Sequence, residues 1–176
     1  MNRPPYALRF MRYMARAPFL SDARRLELYP PFLMMRIKVL EIADGWRRIR
    51  IRLPLNTVSR NPGGVMFGGF QAALADPIPA LACARIFPGQ SVWTRAMSIR
   101  FDVGGHTDLE LRFDMDPAQE EAIENELVAR GRANPVFEYA YFLEDGTRCS
   151  RLTNTVAIRP AGYPASAPPA AADSVE

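Results

Sequence analysis

The period of apolar and polar positions changes several times along the chain, and each change marks an element. Near the N-terminus Tyr6, Phe10, Tyr13, Met14 and Ala17 recur at helical spacing, with Arg9, Arg12 and Arg16 on the other side. This predicts an amphipathic helix over about residues 5–17. A second short helix is predicted to start with Ser21 or Asp22 as its cap and to stop before Pro30-Pro31. From Leu33 the period becomes two. Leu33, Met35, Ile37 and Val39 alternate with Met34, Arg36 and Lys38, predicting a strand to Ile42. Asp44-Gly45 signals a hairpin turn. The next strand, from Trp46 to Pro54, alternates Ile49, Ile51 and Leu53 with Arg48, Arg50 and Arg52, an arginine face simplest to place in solvent.

A loop rich in Asn, Ser, Pro and Gly runs from Leu55 to Met66. The stretch from Gly68 to Ile86 is nearly all small or apolar, which predicts a helix buried on almost every side. Unbroken, it would run about 28 Å at 1.5 Å per residue. Pro77 and Pro79 demand a kink or a restart in its middle. Strands are predicted from Val92 to Val103 and from Asp108 to Met115, with Gly104-Gly105-His106 between them. A polar helix spans Pro117 to Arg130, its first proline and following Gly131 placed as helix ends require. Strands at Pro135–Leu143 and Thr147–Ile158 flank the Asp145-Gly146 turn.

Short turns between strands imply antiparallel pairing, and one apolar helix among them implies an α+β layer in which the sheet wraps the helix. The domain is expected to occupy residues 31–160, behind an N-terminal helical segment, residues 1–30. Residues 161–176, made of Pro, Ala and Ser for the most part, are expected to be a disordered tail.

Composition narrows the function. The 176 residues suffice for one ordinary domain, and 48% hydrophobic with 23% charged residues is a globular balance. No run approaches the ~18–20 apolar residues of a membrane-spanning helix, so a cytoplasmic location is expected. Cys83 and Cys149 form no disulfide framework or zinc pattern, and His106 is the one histidine available to a nucleophilic triad. The net charge is +3, and 21 of the 22 basic residues are arginine. They are spread along the chain without a basic cluster, so no nucleic-acid partner is expected. Three readings fit the arginine-rich N-terminal helix: packing on the domain or a partner subunit, an organelle presequence, or contact with a membrane surface.

Candidate chemistry gathers in the middle of the chain. Asn61-Pro62-Gly63-Gly64 forms a loop, Gly68-Gly69 opens the buried helix, and Asp76 is the sole charge between Arg60 and Arg85. A helix N-terminus carries free N–H groups and partial positive charge, and glycine lets a ligand approach them. Such donors stabilise a carbonyl oxygen that becomes negative in a transition state. Asp76 in apolar surroundings fits a base or nucleophile. It equally fits a cap for a helix restarting at Pro77, and Gly68-Gly69 equally fits close helix–sheet packing. His106 reads as a turn residue, Cys83 as core, and Glu120, Glu121, Glu124 and Glu126 as a solvated helix face.

With these residues in place, residues 32–159 resemble a hotdog-fold domain of the acyl-CoA thioesterase superfamily, and within it the subgroup that includes the phenylacetate-pathway thioesterases. That subgroup carries Asn, a glycine-rich turn, His-Gly-Gly, and an acid nine residues after the histidine. The matching run here is Asn61, Gly64, Phe67-Gly68-Gly69 and Asp76. The resemblance implies hydrolysis of an acyl-CoA or related thioester at a dimer-interface site in a homodimer or tetramer, with no cofactor beyond the CoA of the substrate. It gives Gly68 N–H the carbonyl, Asn61 and the looser match Thr94 the positioning of substrate or water, and Asp76 the part of base or nucleophile, reaching in from the other subunit. Gly69, Phe67, Phe70, Trp93 and Met97 are expected to shape the substrate pocket, and Arg60, Arg95 and Arg148 to meet the CoA phosphates. Phe67 stands where the subgroup has histidine, and the two prolines follow the acid directly. Both departures favour the alternative, a hotdog protein that binds acyl or lipid ligands without turnover.

Overall fold

The computed structural model describes residues 20–163. The expected helix over residues 5–17 and most of the expected tail lie outside them. In chain order the elements are helices α1 (Asp22–Glu27) and α2 (Pro30–Met35), strand β1 (Lys38–Ala43), a 3-10 turn (Asp44–Trp46), and strand β2 (Arg48–Leu53). Helices α3 (Gly68–Ala75) and α4 (Pro77–Ile86) follow, then strands β3 (Ser91–Phe101) and β4 (Leu109–Asp114). Helix α5 (Pro117–Arg130) and strands β5 (Val136–Phe142) and β6 (Arg148–Arg159) complete the set.

The six strands form one antiparallel sheet in the order β1-β2-β4-β5-β6-β3. Period-two alternation does the work predicted of it. Ile49, Ile51 and Leu53 of β2 face Phe113, Leu111 and Leu109 of β4 in register, and all six are buried. The opposite face of β2 is paired across the strands: both Arg50 NH2 contacts to Asp114 are within hydrogen-bond reach (2.8 and 2.9 Å), and Arg50 NH1 donates to the Phe113 carbonyl (2.8 Å).

Helices α3 and α4 lie against the apolar face, with Leu74, Ala75, Ile78, Ala82 and Cys83 buried. The expected kink falls at Asp76, whose backbone stays helical (φ −44°, ψ −54°). Pro79 has no N–H to give the Ala75 carbonyl, the bond an uninterrupted helix would make. The buried Tyr139 hydroxyl donates to that carbonyl instead (3.0 Å). Thr94 Oγ1 (2.8 Å) and Asn154 Nδ2 (3.0 Å) donate to the Asp76 carbonyl, and Tyr141 Oη donates to that of Gln71 (2.8 Å). Strands β3, β5 and β6 thus hold the kinked helix by its own carbonyls, and burial raises the pKa of both tyrosines.

Two expectations are corrected. The strand predicted from Leu33 is helix α2 as far as Met35, and the extended segment begins at Lys38. The preceding helix stops before Pro30-Pro31 as expected, and the two prolines start this one, because proline at the first turn needs no N–H partner and already has helical φ. Phe32 and Met35, three apart, are buried while Leu33 and Met34 face outward, a helical pattern that a short window cannot separate from alternation. Arg36 ends it in the left-handed conformation (φ 57°). Second, Glu120 is not merely solvated: it is hydrogen-bonded to Arg47 through both carboxylate oxygens, Nε to Oε2 at 2.6 Å, and this pairing lowers its pKa. Of the two caps offered for α1, Ser21 serves, accepting from Arg24 N (3.3 Å).

Both cysteines are free and buried. Burial pushes the Cys83 thiol up to about 12, and raises that of Cys149, whose S–H donates to the Val103 carbonyl. The thiolate is the reactive form. A disulfide reagent at pH 8 is therefore expected to titrate no thiol in the native protein and two after denaturation. Rapid native labelling would put a reactive cysteine back among the candidates.

Candidate active site

Asn61 and Gly68 come together. They share a cavity of about 390 Å³ with Met66, Gln71, Phe101, Asp102 and the Gly104-Gly105 turn. The loop that carries Asn61 is tied internally. Asn61 Oδ1 accepts from Val65 N (3.3 Å), Gly64 N donates to the Asn61 carbonyl (2.9 Å), and Gly64 takes φ 83°, a conformation that favours glycine. This fixes the amide oxygen toward the loop and leaves the Asn61 NH2 without a protein partner among the described residues. Met66 N donates to the Gly105 carbonyl (2.8 Å) and Phe67 N to that of Ser59 (2.7 Å), so the chain enters α3 from a fixed direction.

Phe67 caps that helix with extended backbone (φ −64°, ψ 122°) and no side-chain bond. The first-turn N–H groups of Gly68 and Gly69 have no carbonyl partner among the described residues. They are the free donors of a helix N-terminus. A Cβ on Gly68 would lie 2.8 Å from the Phe101 ring and one on Gly69 would meet the Phe67 ring, but both rings belong to exposed side chains that can move aside, so packing alone does not require glycine here.

Asp76 does not join this group. Eight residues of helix separate it from Gly68, about 12 Å along the axis at 1.5 Å each. Its side chain makes no cap bond to α4, and its helical φ/ψ differs from the extended backbone a cap adopts, so the capping alternative is not realised. Its carboxylate is exposed and has no hydrogen bond or ion pair among the described residues. It forms part of the wall of two other cavities. One, of about 670 Å³, lies between the kink and helices α1 and α2. The other, of about 430 Å³, includes Trp93 and Thr94.

The remaining predicted residues are dispersed. Thr94 spends its hydroxyl proton on the Asp76 carbonyl, which makes it a tether of the kink. Trp93 stacks on Tyr163 with ring centroids 6.0 Å apart, Phe70 and Met97 pack on the core edge, and Phe67 is exposed. Arg60 is exposed beside the Asn61 loop, and Arg95 stands at a bulge in β3. Arg148 lies 3.5 Å from Asp102, which also receives two hydrogen bonds from Arg151 (3.0 Å each) and lies 3.5 Å from Arg100. The Arg151 bonds, with the nearby charges of Arg148 and Arg100, lower the Asp102 pKa. His106 is exposed on its turn, bonded to the Gly104 carbonyl, far from any role with Asp76.

Sequence reasoning missed several residues. Gln71 lines the Asn61–Gly68 cavity and is buried, its Oε1 accepting from Ser150 Oγ (2.8 Å). One glutamine in an alanine-rich helix was the available signal. Asp22 gathers Trp46 Nε1 (2.9 Å), Arg25 (3.0 Å) and Arg85 (2.9 Å), contacts 24 and 63 residues away in two cases, which spacing cannot reveal. Among the described residues no group of three or more His, Cys, Asp or Glu side chains is arranged to hold a metal ion, and no helix is long and apolar enough to cross a membrane.

An antiparallel sheet wrapped around one apolar helix is the hotdog fold, and the class of protein follows from it. The chain belongs to the family described as "Domain of unknown function (DUF4442)", whose model matches residues 21–158. No match is found among curated proteins. Among solved structures, a Pseudomonas aeruginosa protein of unknown function named a probable thioesterase shares 18% identity and a TM-score of 0.68, over 86% of this chain and 95% of its own. A Haemophilus influenzae thioesterase shares 16% identity, TM-score 0.60, over 77% and 87%. A Chlorobaculum tepidum protein of unknown function shares 11% identity, TM-score 0.64, over 88% and 94%. At these identities the likeness carries the fold.

Proposed function

We propose that the protein hydrolyses an acyl-CoA or related thioester at a site shared by two copies of the chain. The observation that carries this reading is the carboxylate of Asp76, exposed on the wall of an apolar cavity with no structural partner among the described residues. The similar fold of proteins named thioesterases supports the reaction class. In one chain the acid and the Gly68 N–H are too far apart, since reacting atoms must come within about 3–3.5 Å.

A second copy resolves that separation, and the sheet edges support one. The β1 edge is covered, with Val39 N donating to Glu27 Oε1 (3.2 Å) of α1. The other edge strand, β3, runs eleven residues, and no strand pairs with its outer side among the described residues. Such an edge is a template for pairing, and pairing β3 with its copy gives a two-fold dimer.

In the proposed reaction Asp76 of one copy takes a proton from water as that water attacks the thioester carbonyl. The carbonyl oxygen, now negative, accepts from the Gly68 N–H of the other copy, beside the Asn61 NH2. The carbon–sulfur bond then breaks, the thiol leaves with the proton from Asp76, and the carboxylic acid remains. Arg148, Arg100 and Arg151, three guanidinium groups against one carboxylate, give the rim of the Asn61–Gly68 cavity the charge to meet phosphate.

The test is release of free thiol from acyl-CoA esters, acetyl to palmitoyl, by the full chain. Turnover of at least one ester above the buffer rate is expected. No release from any ester, together with binding of acyl ligands, would establish the non-catalytic reading that the exposed Phe67 beside Gly68 favours.

A further inference from the structure

The structure assigns a second site to the side of the kink that faces helices α1 and α2: a bay for a long unbranched hydrocarbon chain. That the chain is the acyl group of a thioester rests on the function proposed above; the bay itself does not. The bay is the cavity of about 670 Å³ with Asp76 in its wall. Leu26, Leu28, Tyr29, Phe32, Trp46 and Leu81 supply its apolar lining. None of the expected pocket residues Phe67, Phe70, Trp93 or Met97 lines it.

Its charged groups bind one another. Asp22 accepts from Arg25, Arg85 and the Trp46 indole, and the Arg85 guanidinium sits 5.0 Å from the centre of the Trp46 ring. This cluster ties α1 to the 3-10 turn and to α4, so it pins the roof of the bay. The carboxylate of Asp76 is left as the acid facing the bay with no partner among the described residues, and it repels an anionic occupant.

Size selects among uncharged occupants. An apolar cavity of about 150 Å³ holds the six carbons of a benzene. At that density, about 25 Å³ per carbon, this bay is more than four times larger, so a short or medium acyl group would leave much of it empty, while a flexible chain of roughly sixteen carbons or more fits within it. Because Asp76 is in its wall, a chain seated in the bay can carry its carbonyl end to the proposed base.

The test uses the full chain and uncharged probes that contain no thioester. Calorimetric titration with n-alkanols from butanol to dodecanol is expected to show affinity rising about fourfold per methylene through the whole series. Leu28→Trp and Ala73→Phe each place bulk in the bay, and each is expected to weaken the longer alkanols more than the shorter ones. In turnover assays the same variants are expected to shift the preferred acyl-CoA to shorter chains. Alkanol binding with no turnover of any ester would keep the bay and remove the thioesterase reading. Turnover without alkanol binding, or a chain-length profile that neither folded variant moves, would overturn the bay and leave the thioesterase reading standing.

Discussion

Asp76→Asn is expected to lower kcat for thioester hydrolysis by about 10²–10⁴-fold, the range that a positioned general base contributes. The substitution keeps size and polarity and removes the capacity to accept a proton from water. Its cost to the fold is expected to be small, because the carboxylate makes no bond to the other described residues and the contacts that hold the kink go to the Asp76 carbonyl, which asparagine retains. An exposed change of this kind alters stability by about 0.5 kcal/mol or less, which for a domain of this size is about 1–2 °C in Tm. Turnover and thermal melts on the same preparation give the answer. A folded variant with full activity would eliminate Asp76 as the base. A large drop in Tm would reveal a structural role for its side chain that the geometry does not contain.

Gly68→Pro removes one atom of the proposed machinery, the N–H that meets the carbonyl oxygen. Proline suits the first position of a helix. Phe67 already holds the extended conformation that precedes proline, at φ −64° and ψ 122°. The one collision, with the ring of Phe101, falls on a side chain that is 51% exposed and free to swing aside. The expected loss is about 10²–10³-fold in kcat, that of an oxyanion donor. This variant also tests the shared site. Asp76→Asn and Gly68→Pro are each expected to be nearly inactive alone. Mixed and reassembled, half of the dimers pair one of each, and each such dimer has one complete site of two. Activity is then expected to return to about a quarter of wild type. Mixtures no more active than either parent would place the whole reaction within one chain, or remove it.

The sheet and the central helix were legible because their signals are local and redundant. Alternation in Ile49-Arg50-Ile51 and Leu109-Glu110-Leu111, turn residues at Asp44-Gly45 and Asp145-Gly146, and the proline–glycine bracket of α5 each point to one structure. Helix α2 was not, because four apolar residues in the six from Pro30 to Met35 satisfy both periods, and burial of Phe32 and Met35 by distant parts of the chain decides between them. Within the site, Asn61, Gly68 and Asp76 stood out as residue types out of keeping with their neighbours. Their division among separate cavities did not, since it depends on how the helix between them is laid over the sheet. The carbonyl clamps Tyr139, Tyr141 and Asn154 were equally hidden, each being an ordinary inward-facing strand residue until the helix is laid over it.

The long outer edge of β3 carries a hazard as well as a use. Eleven residues of strand with an outer side unpaired among the described residues, Val92, Trp93, Ile99 and Phe101 among them, have the composition from which fibrils nucleate. Arg95 and Arg100 interrupt that composition. In a fibril stacked in register each arginine would face its own copy, and like charges directly opposite one another oppose the stack. A single antiparallel partner imposes no such ladder. The two arginines therefore act as gatekeepers, tolerating a pair of edges while discouraging a column of them.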